Sequence, residues 1–253
     1  MGSAVNFAVL GGSTVTNTGI TTIDGDLGVS PGSAYTGGGT VNQTGMAYLA
    51  DGGGVAKAAE GDVETAYYAL AGLPVDRVPT GTDLGGLTLF PGVYSFASSV
   101  GLTGTLTLDA NNDPNALFVF QIGSTLTTAT DSFVKVINGG AGTGVFWQVG
   151  SSATLGTRTA FLGNILALSS IGLDTGATIC GRALALNAAV TLDTNTVSDA
   201  CGSLPSTFNG ALGDFGSLGF AGGAVPEPGT VPPLSVGLLA LIWYGWHSRK
   251  RLA

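Results

Sequence analysis

The sequence predicts a mainly β chain wound into a β-solenoid, with one helix inserted. Three observations predict it. Glycine supplies 43 of 253 residues, a composition that is costly inside helices and useful at tight turns. Thr, Val, Ile and Leu fill the short stretches between the glycines, the residues that suit a pleated surface. Finally, short segments recur at a spacing too small for a helical repeat.

Composition also excludes functions. Charged residues are only 9% of the chain and the net charge is −8. Residues 1–224 carry five basic against fifteen acidic side chains, so this body cannot neutralise phosphates by counterion release, and nucleic acid is excluded as a partner. The single histidine, His247, and two cysteines leave almost no material for a zinc site or a His-based triad. No metal or cofactor is expected. Cys180 and Cys201 form no CxxC motif. They read as buried thiols in a cytosolic chain and as a disulfide in an exported one.

The elements follow in order. Residues 5–45 read as short β segments at Phe7–Leu10, Thr14–Thr18, Ile20–Ile23 and Leu27–Val29. Over 51–72 the period changes: Val55, Ala59, Val63, Ala66 and Leu70 recur at three- and four-residue spacing, with charged residues between, the pattern of an amphipathic helix. Asp51 is placed to cap it, and Gly72 with Pro74 to stop it. From Gly85 to about residue 201 the chain is all short strands. Residues 202–224 form a Gly/Ser/Phe linker.

The repeat carries the functional reading. Thr125–Thr130, Thr154–Thr159, Gly172–Ala177 and Thr191–Thr196 align with one another, the first step being widened by a Gly-rich insertion at Asn138–Gly144. The two later steps give a period of roughly 18–19, which suits one coil of three short strands joined by tight corners. On this alignment Leu126, Leu155, Leu173 and Leu192 stack inward. Beyond a corner, Thr128, Thr157, Thr175 and Thr194 form one outward column, and Thr130, Thr159 and Thr196 a second. Thr16-Asn17-Thr18 repeats the form of Thr194-Asn195-Thr196 and extends the array. Thr125, Thr154 and Thr191 form the next surface to consider. Stacked Thr is also ordinary solenoid surface, but a flat, nearly uncharged Thr grid suits the ordering of water. It lacks the aromatic and Arg anchors of protein-binding sites.

Residues 7 to about 201 resemble the microbial ice-binding proteins of the discontinuous β-solenoid type. The carrying stretches include FAVLGGSTVTNTG, GDLGVSPG, DLGGLTLFPGVYSF, TLTLDANNDPNALFVFQIGSTL, VFWQVGSSATLGTRTAFLGNILA and GRALALNAAVTLDTNTV. The resemblance implies a right-handed solenoid of triangular section over 5–201, a long helix packed alongside, and ice as the partner of one flat face. Strongly active members carry Thr-Ala/Gly-any-Thr/Asn there. Thr175-Gly176-Ala177-Thr178 matches in full, which adds Thr178 to the candidate residues. The other three segments depart from the motif, most visibly at Arg158.

The ends carry localisation. Residues 1–10 have neither a basic stretch nor a long apolar one, so no signal peptide is visible. Val225-Pro226-Glu227-Pro228 precedes an apolar run, Leu234–Trp246, closed by Arg249-Lys250-Arg251. Residues 225–253 thus resemble the PEP-CTERM sorting signal, with an apolar helix as the only route to a membrane. An exported, monomeric, non-enzymatic ice-binding protein is the expectation. The rival readings are a surface adhesin and a polysaccharide-acting solenoid enzyme, the latter using Asp24 and Asp26 as paired carboxylates.

Overall fold

The computed structural model describes residues 1–50 and 54–201. The linker and the apolar segment expected over 202–253, and the Asp51 cap, lie outside the described residues. Within the described residues, each coil gives one strand to each of three parallel sheets. Residues Gly144–Val149, Ala153–Leu155 and Ala160–Leu162 make one such coil. The next is Asn164–Ala167, Ile171–Leu173 and Thr178–Cys180.

The stacking order departs from chain order. The first coil, Phe7–Gly11, Thr14–Thr18 and Thr21–Asp24, docks on the last, Ala183–Ala185, Val190–Asp193 and Thr196–Ser198. Val9 pairs with Ala183, Thr16 with Thr191 and Thr22 with Thr196. From that first coil the chain builds outward through residues 26–49, then returns along the solenoid by a helix. It starts again at the opposite end with Thr88–Leu89 and Gly92–Phe96 and winds back to the seam. This is the discontinuous arrangement that the resemblance implies.

The helix spans Val55–Ala71 and ends at Gly72, whose N–H donates to the carbonyl of Tyr68 at 3.0 Å. Its buried stripe is Ala56, Ala59, Val63, Ala66, Tyr67 and Leu70; the sequence spacing gives four of these, but Val55, which it also places there, is exposed. The small alanines let it lie close on one sheet, against Phe7, Leu10, Val119, Phe146, Leu166 and Leu184. Strands of this helix face are therefore buried on both sides, as Phe7–Gly11 and Gly144–Val149 show at every position. Packing here begins ahead of residue 5: Met1 and Ala4 are buried in the same cluster.

The interior between the three sheets is filled by registered side chains. Tyr94, Phe120 and Trp147 are Cα partners on successive coils, and their rings stack at 5.5 and 3.9 Å between centroids. Trp147 Nε1 donates to the carbonyl of Leu162 at 3.0 Å, so the polar edge of the ring is satisfied. Each buried aliphatic or aromatic side chain of this kind contributes about 1.5–3 kcal/mol. The result is a stiff prism wall on which outward side chains hold fixed spacing.

Candidate functional site

The helix covers only the first sheet, made by the first strand of each coil; the second and third sheets, made by the middle and last strands, lie outside it. The strands of the second sheet are short, and the central residue of each points outward. Leu126–Thr128 and Ala153–Leu155 each show the pattern buried, exposed, buried. The pairings Gly101↔Thr127, Thr127↔Thr154, Thr154↔Gly172, Gly172↔Thr191, Thr16↔Thr191 and Thr16↔Thr36 place these residues in one straight column. Rungs of parallel strands lie about 4.8 Å apart.

Two positions earlier on each rung runs a second, hydroxyl-rich column, which includes Ser99, Thr125, Ser152, Ser170 and Thr14. Thr125 Oγ1 donates to Ser99 Oγ at 2.9 Å, and Ser170 Oγ donates to Ser152 Oγ at 3.0 Å. These rung-to-rung bonds fix the hydroxyls in place. On the other side of the central column, Asp174, Asp193 and Thr18 form a rim. The outward positions of these three columns carry no Lys, Arg, Glu or aromatic side chain between Ser99 and Thr191.

The register differs from the sequence alignment by two positions. Leu126 pairs with Ala153, not with Leu155, so the step across the Gly-rich insertion is shorter by two than the alignment of the leucines implies. Thr128 is thereby the partner of Leu155 and points inward, 3% exposed. Thr159 is also fully buried. The two hydroxyls bond to each other at 2.7 Å, and the Gly156 N–H donates to Thr128 Oγ1 at 2.9 Å. Neither Thr128 nor Thr159 belongs to an outward grid.

Thr130, Thr157, Thr175 and Thr194 lie instead on the turns between the second and third sheets. Positive φ at Asp131, Arg158, Gly176 and Thr194 marks those turns. Thr175 donates to the Asp193 carboxylate and Thr194 Oγ1 to Asp193 Oδ1 at 3.1 Å, so their hydroxyls are engaged locally. Thr178 and Thr196 are half-buried partners on the third sheet, continuing to Thr22 and Asn42. That sheet also presents Phe133, Lys135 and Ile137, which break its flatness. Arg158 sits on its turn with its charge matched: Nε and Nη2 each reach the Asp131 carboxylate at 2.7 Å. That fork holds the Asp131 carboxyl below the usual range and raises Arg158.

The surface that the sequence ranks second, Thr125, Thr154 and Thr191, is thus split: Thr154 and Thr191 stand in the central column and Thr125 beside it. Thr16 extends the array, but as the partner of Thr191 rather than of Thr194. Thr127 and Thr36 escape the sequence reading altogether. A signal for Thr127 was present. Phe120-Gln-Ile-Gly-Ser124 and Trp147-Gln-Val-Gly-Ser151 repeat at the shorter step, and Gln121 pairs with Gln148.

The other candidates are structural. Asp24 accepts from Thr44 Oγ1 at 2.8 Å and Ser198 Oγ at 3.0 Å, and Asp26 accepts from the Met46 N–H at 2.7 Å. Both hold turns. Cys180 and Cys201 are bonded to each other, with Cα atoms 5.0 Å apart. No cluster of His, Cys, Asp and Glu suited to a metal occurs among the described residues. No helix among them is long and apolar enough to cross a membrane.

With this geometry in place, comparison with known proteins is decisive. Residues 9–198 match the family described as Ice-binding-like. The chain belongs to this family. It is 60% identical over 206 residues to an ice-binding protein of Nostoc sp. (strain HG1), covering 81% of this chain and 76% of that one. It is 33% identical to an ice-binding protein of Colwellia sp, over 78% and 82% of the two chains. Among solved structures, the ice-binding protein of the Antarctic ascomycete Antarctomyces psychrotrophicus superposes with a TM-score of 0.74 at 41% identity, covering 78% of this chain and 96% of its own. An ice-binding protein from an Antarctic biological consortium superposes at 0.75 and 47% identity, covering 78% and 89%.

Proposed function

We propose that this member of the ice-binding family adsorbs to ice through its second sheet, with the Thr127–Thr154–Thr191–Thr16 column at its centre. The observation that carries the reading is that column's register. Five of its seven positions are Thr (Thr127, Thr154, Thr191, Thr16 and Thr36), on the face that has neither a covering helix nor protruding aromatic or basic side chains. Methyl groups cage neighbouring water while hydroxyls pin it at the strand spacing, giving a layer that can merge with a growing lattice. Each contact is weak and the sum over a flat, rigid area is large. Ice held back between adsorbed molecules must grow with a curved front, which lowers its freezing point and slows recrystallisation. No covalent step is involved, so the activity is binding rather than catalysis.

Export fits the same reading. A bonded Cys180–Cys201 pair belongs to an oxidising compartment, and the apolar run that ends in Arg249-Lys250-Arg251 reads as its sorting or anchoring segment. Cell fractionation with and without residues 225–253 tests that part.

The face itself is tested by Thr154→Tyr in the full chain. The ring stands proud of the sheet at its centre, so most of the thermal hysteresis should disappear while the melting temperature stays within a few degrees. Thr178→Tyr, on the third sheet, should leave thermal hysteresis near that of the parent. The reverse pattern would move the ice-binding face to the third sheet.

A further inference from the structure

The central column is not continuous. Gly172 stands between Thr154 and Thr191, in the middle of the face, and Gly101 stands toward one end, between Thr127 and Asp83. Beside Gly172, on the turn side of the column, lies a shallow depression of about 330 Å³. Its lining includes Gly172, Thr157, Thr175, Thr191, Asp174 and Asp193. The lining sets two carboxylates beside several hydroxyls. This is a different surrounding from the flat rows of methyl and hydroxyl on either side.

The backbone does not require glycine at this point. Gly172 is absent from the positions with positive φ. A Cβ built on it meets nothing nearer than Thr191 Oγ1 at 3.6 Å, an ordinary van der Waals contact. Gly156, one rung away and two positions along, is the opposite case: its Cβ would approach the carbonyl oxygen of Thr128 to 2.5 Å. One glycine is imposed by the packing of the coils, and the other is a gap in a row that has room for a side chain.

We propose that Gly172 is the position that sets the strength of ice adsorption, because it divides the Thr column into two short runs. Thr127 and Thr154 lie on one side, and Thr191, Thr16 and Thr36 on the other. A Thr side chain at 172, though far smaller than the depression, sets a methyl and a hydroxyl level with Thr154 and Thr191 and joins the two runs. Filling Gly101, whose Cβ would meet only the Thr82 carbonyl oxygen at 3.8 Å, lengthens one run at its end and so does less. The inference rests on the ice-binding reading of the second sheet.

The experiment compares the full chain with its Gly172→Thr, Gly172→Ala and Gly101→Thr variants at equal concentration. Gly172→Thr should raise thermal hysteresis on the order of twofold, since many weak contacts act over one continuous area. Its melting temperature should hold or rise, because Thr suits a strand better than glycine. Gly172→Ala, which restores one methyl, and Gly101→Thr should each give a smaller rise. A Gly172→Thr variant that melts normally with unchanged or lower thermal hysteresis overturns the proposal, and makes the depression itself the water-holding site. Failure of both Gly172 variants to fold also overturns it, through the claim of free space. If the parent is active and Thr154→Tyr remains fully active, the ice-binding reading of this sheet fails instead.

Discussion

The guanidinium of Arg182 donates through Nε to the backbone carbonyl of Val5 at 2.9 Å, joining the two ends of the solenoid sequence. Nη1 reaches Asn164 Oδ1 at 3.1 Å, and the Asp199 carboxylate lies 4.0 Å from Nη2. The side chain is 2% exposed. It sits at the seam where the first coil docks on the last, and it ties the N-terminal turn to two coils of the C-terminal stack. A buried cation is tolerable only with such a set of partners.

Arg182→Met should therefore be severely destabilising although it adds apolar volume. It leaves the Val5 carbonyl without this donor and removes the cation beside Asp199. Breaking a buried charged network by removing one partner costs roughly 3–5 kcal/mol. Chemical denaturation measures the loss, and hydrogen exchange should show earlier opening of Phe7–Gly11 than of Gly144–Val149. A loss below about 1 kcal/mol would reject the seam role.

Thr128 should prove to be a structural residue. Its hydroxyl accepts the Gly156 N–H and is hydrogen-bonded to the Thr159 hydroxyl inside the corner between the second and third sheets. Thr128→Val keeps the shape and removes the oxygen, leaving a buried N–H unsatisfied at a cost of about 1–3 kcal/mol. Thermal hysteresis of the folded variant should match the parent. Loss of ice binding at unchanged stability would return Thr128 to the functional surface.

The contrast between Thr128 and Thr127 shows what the sequence holds and what it hides. The coil period and the helix stripe through Ala59, Val63, Ala66 and Leu70 are local patterns, legible without coordinates, although Val55, which the spacing adds to that stripe, is exposed. A slip of two across a loop of variable length keeps every strand parity intact, so nothing in the alternation betrays it, but it moves the corner. Aligning Leu126 with Leu155 sets Thr128 level with Thr157, beyond the corner, whereas Thr128 pairs with Leu155 and still lies in the strand. Ala153 occupies the true partner position, and a small apolar residue carries a weaker inward signal than Leu. The seam contact of Arg182 is illegible for a different reason: it joins segments from opposite ends of the solenoid sequence, and only the docking of the first coil on the last brings them together.

The Cys180–Cys201 disulfide closes a loop of sequence separation 21 between the third-sheet strand Thr178–Cys180 and the end of the last coil. A loop of this length contributes roughly 3 kcal/mol by restricting the unfolded chain. Cys201→Ser should lower unfolding stability by about that amount and leave ice shaping at low temperature unchanged. Thiol titration of unfolded, unreduced parent protein should find no free thiol. Two titrating thiols, or an inactive but folded Cys201→Ser variant, would contradict this account.

Acid should weaken the fold through exposed turn carboxylates. Asp83 Oδ1 accepts the N–H groups of Gly85 and Thr103, both at 2.9 Å, and the Gly85 bond in particular holds its carboxyl below the usual range. Asp109 is lowered by the Asn111 N–H and then by the Asn138 side chain, and Asp131 by Arg158. A depressed native pKa means that the unfolded chain takes up the proton first. The stabilisation is thus complete above the unfolded value of about 3.9 and is lost as pH falls through it toward the native values. Glu60 opposes the trend, because burial raises its pKa and the cost of burying its charge disappears as acid neutralises it. Below about pH 4 Glu60 is protonated in the folded and the unfolded chain alike and no longer changes stability, so the lowered groups set the direction and the denaturation midpoint should fall there. Because these carboxylates are exposed, the fall should be gradual rather than steep. Asp83→Asn should flatten it. A midpoint that rises on acidification, or an acid limb indifferent to Asp83→Asn, would show that hydrogen-bonded turns are not what makes this solenoid sensitive to acid.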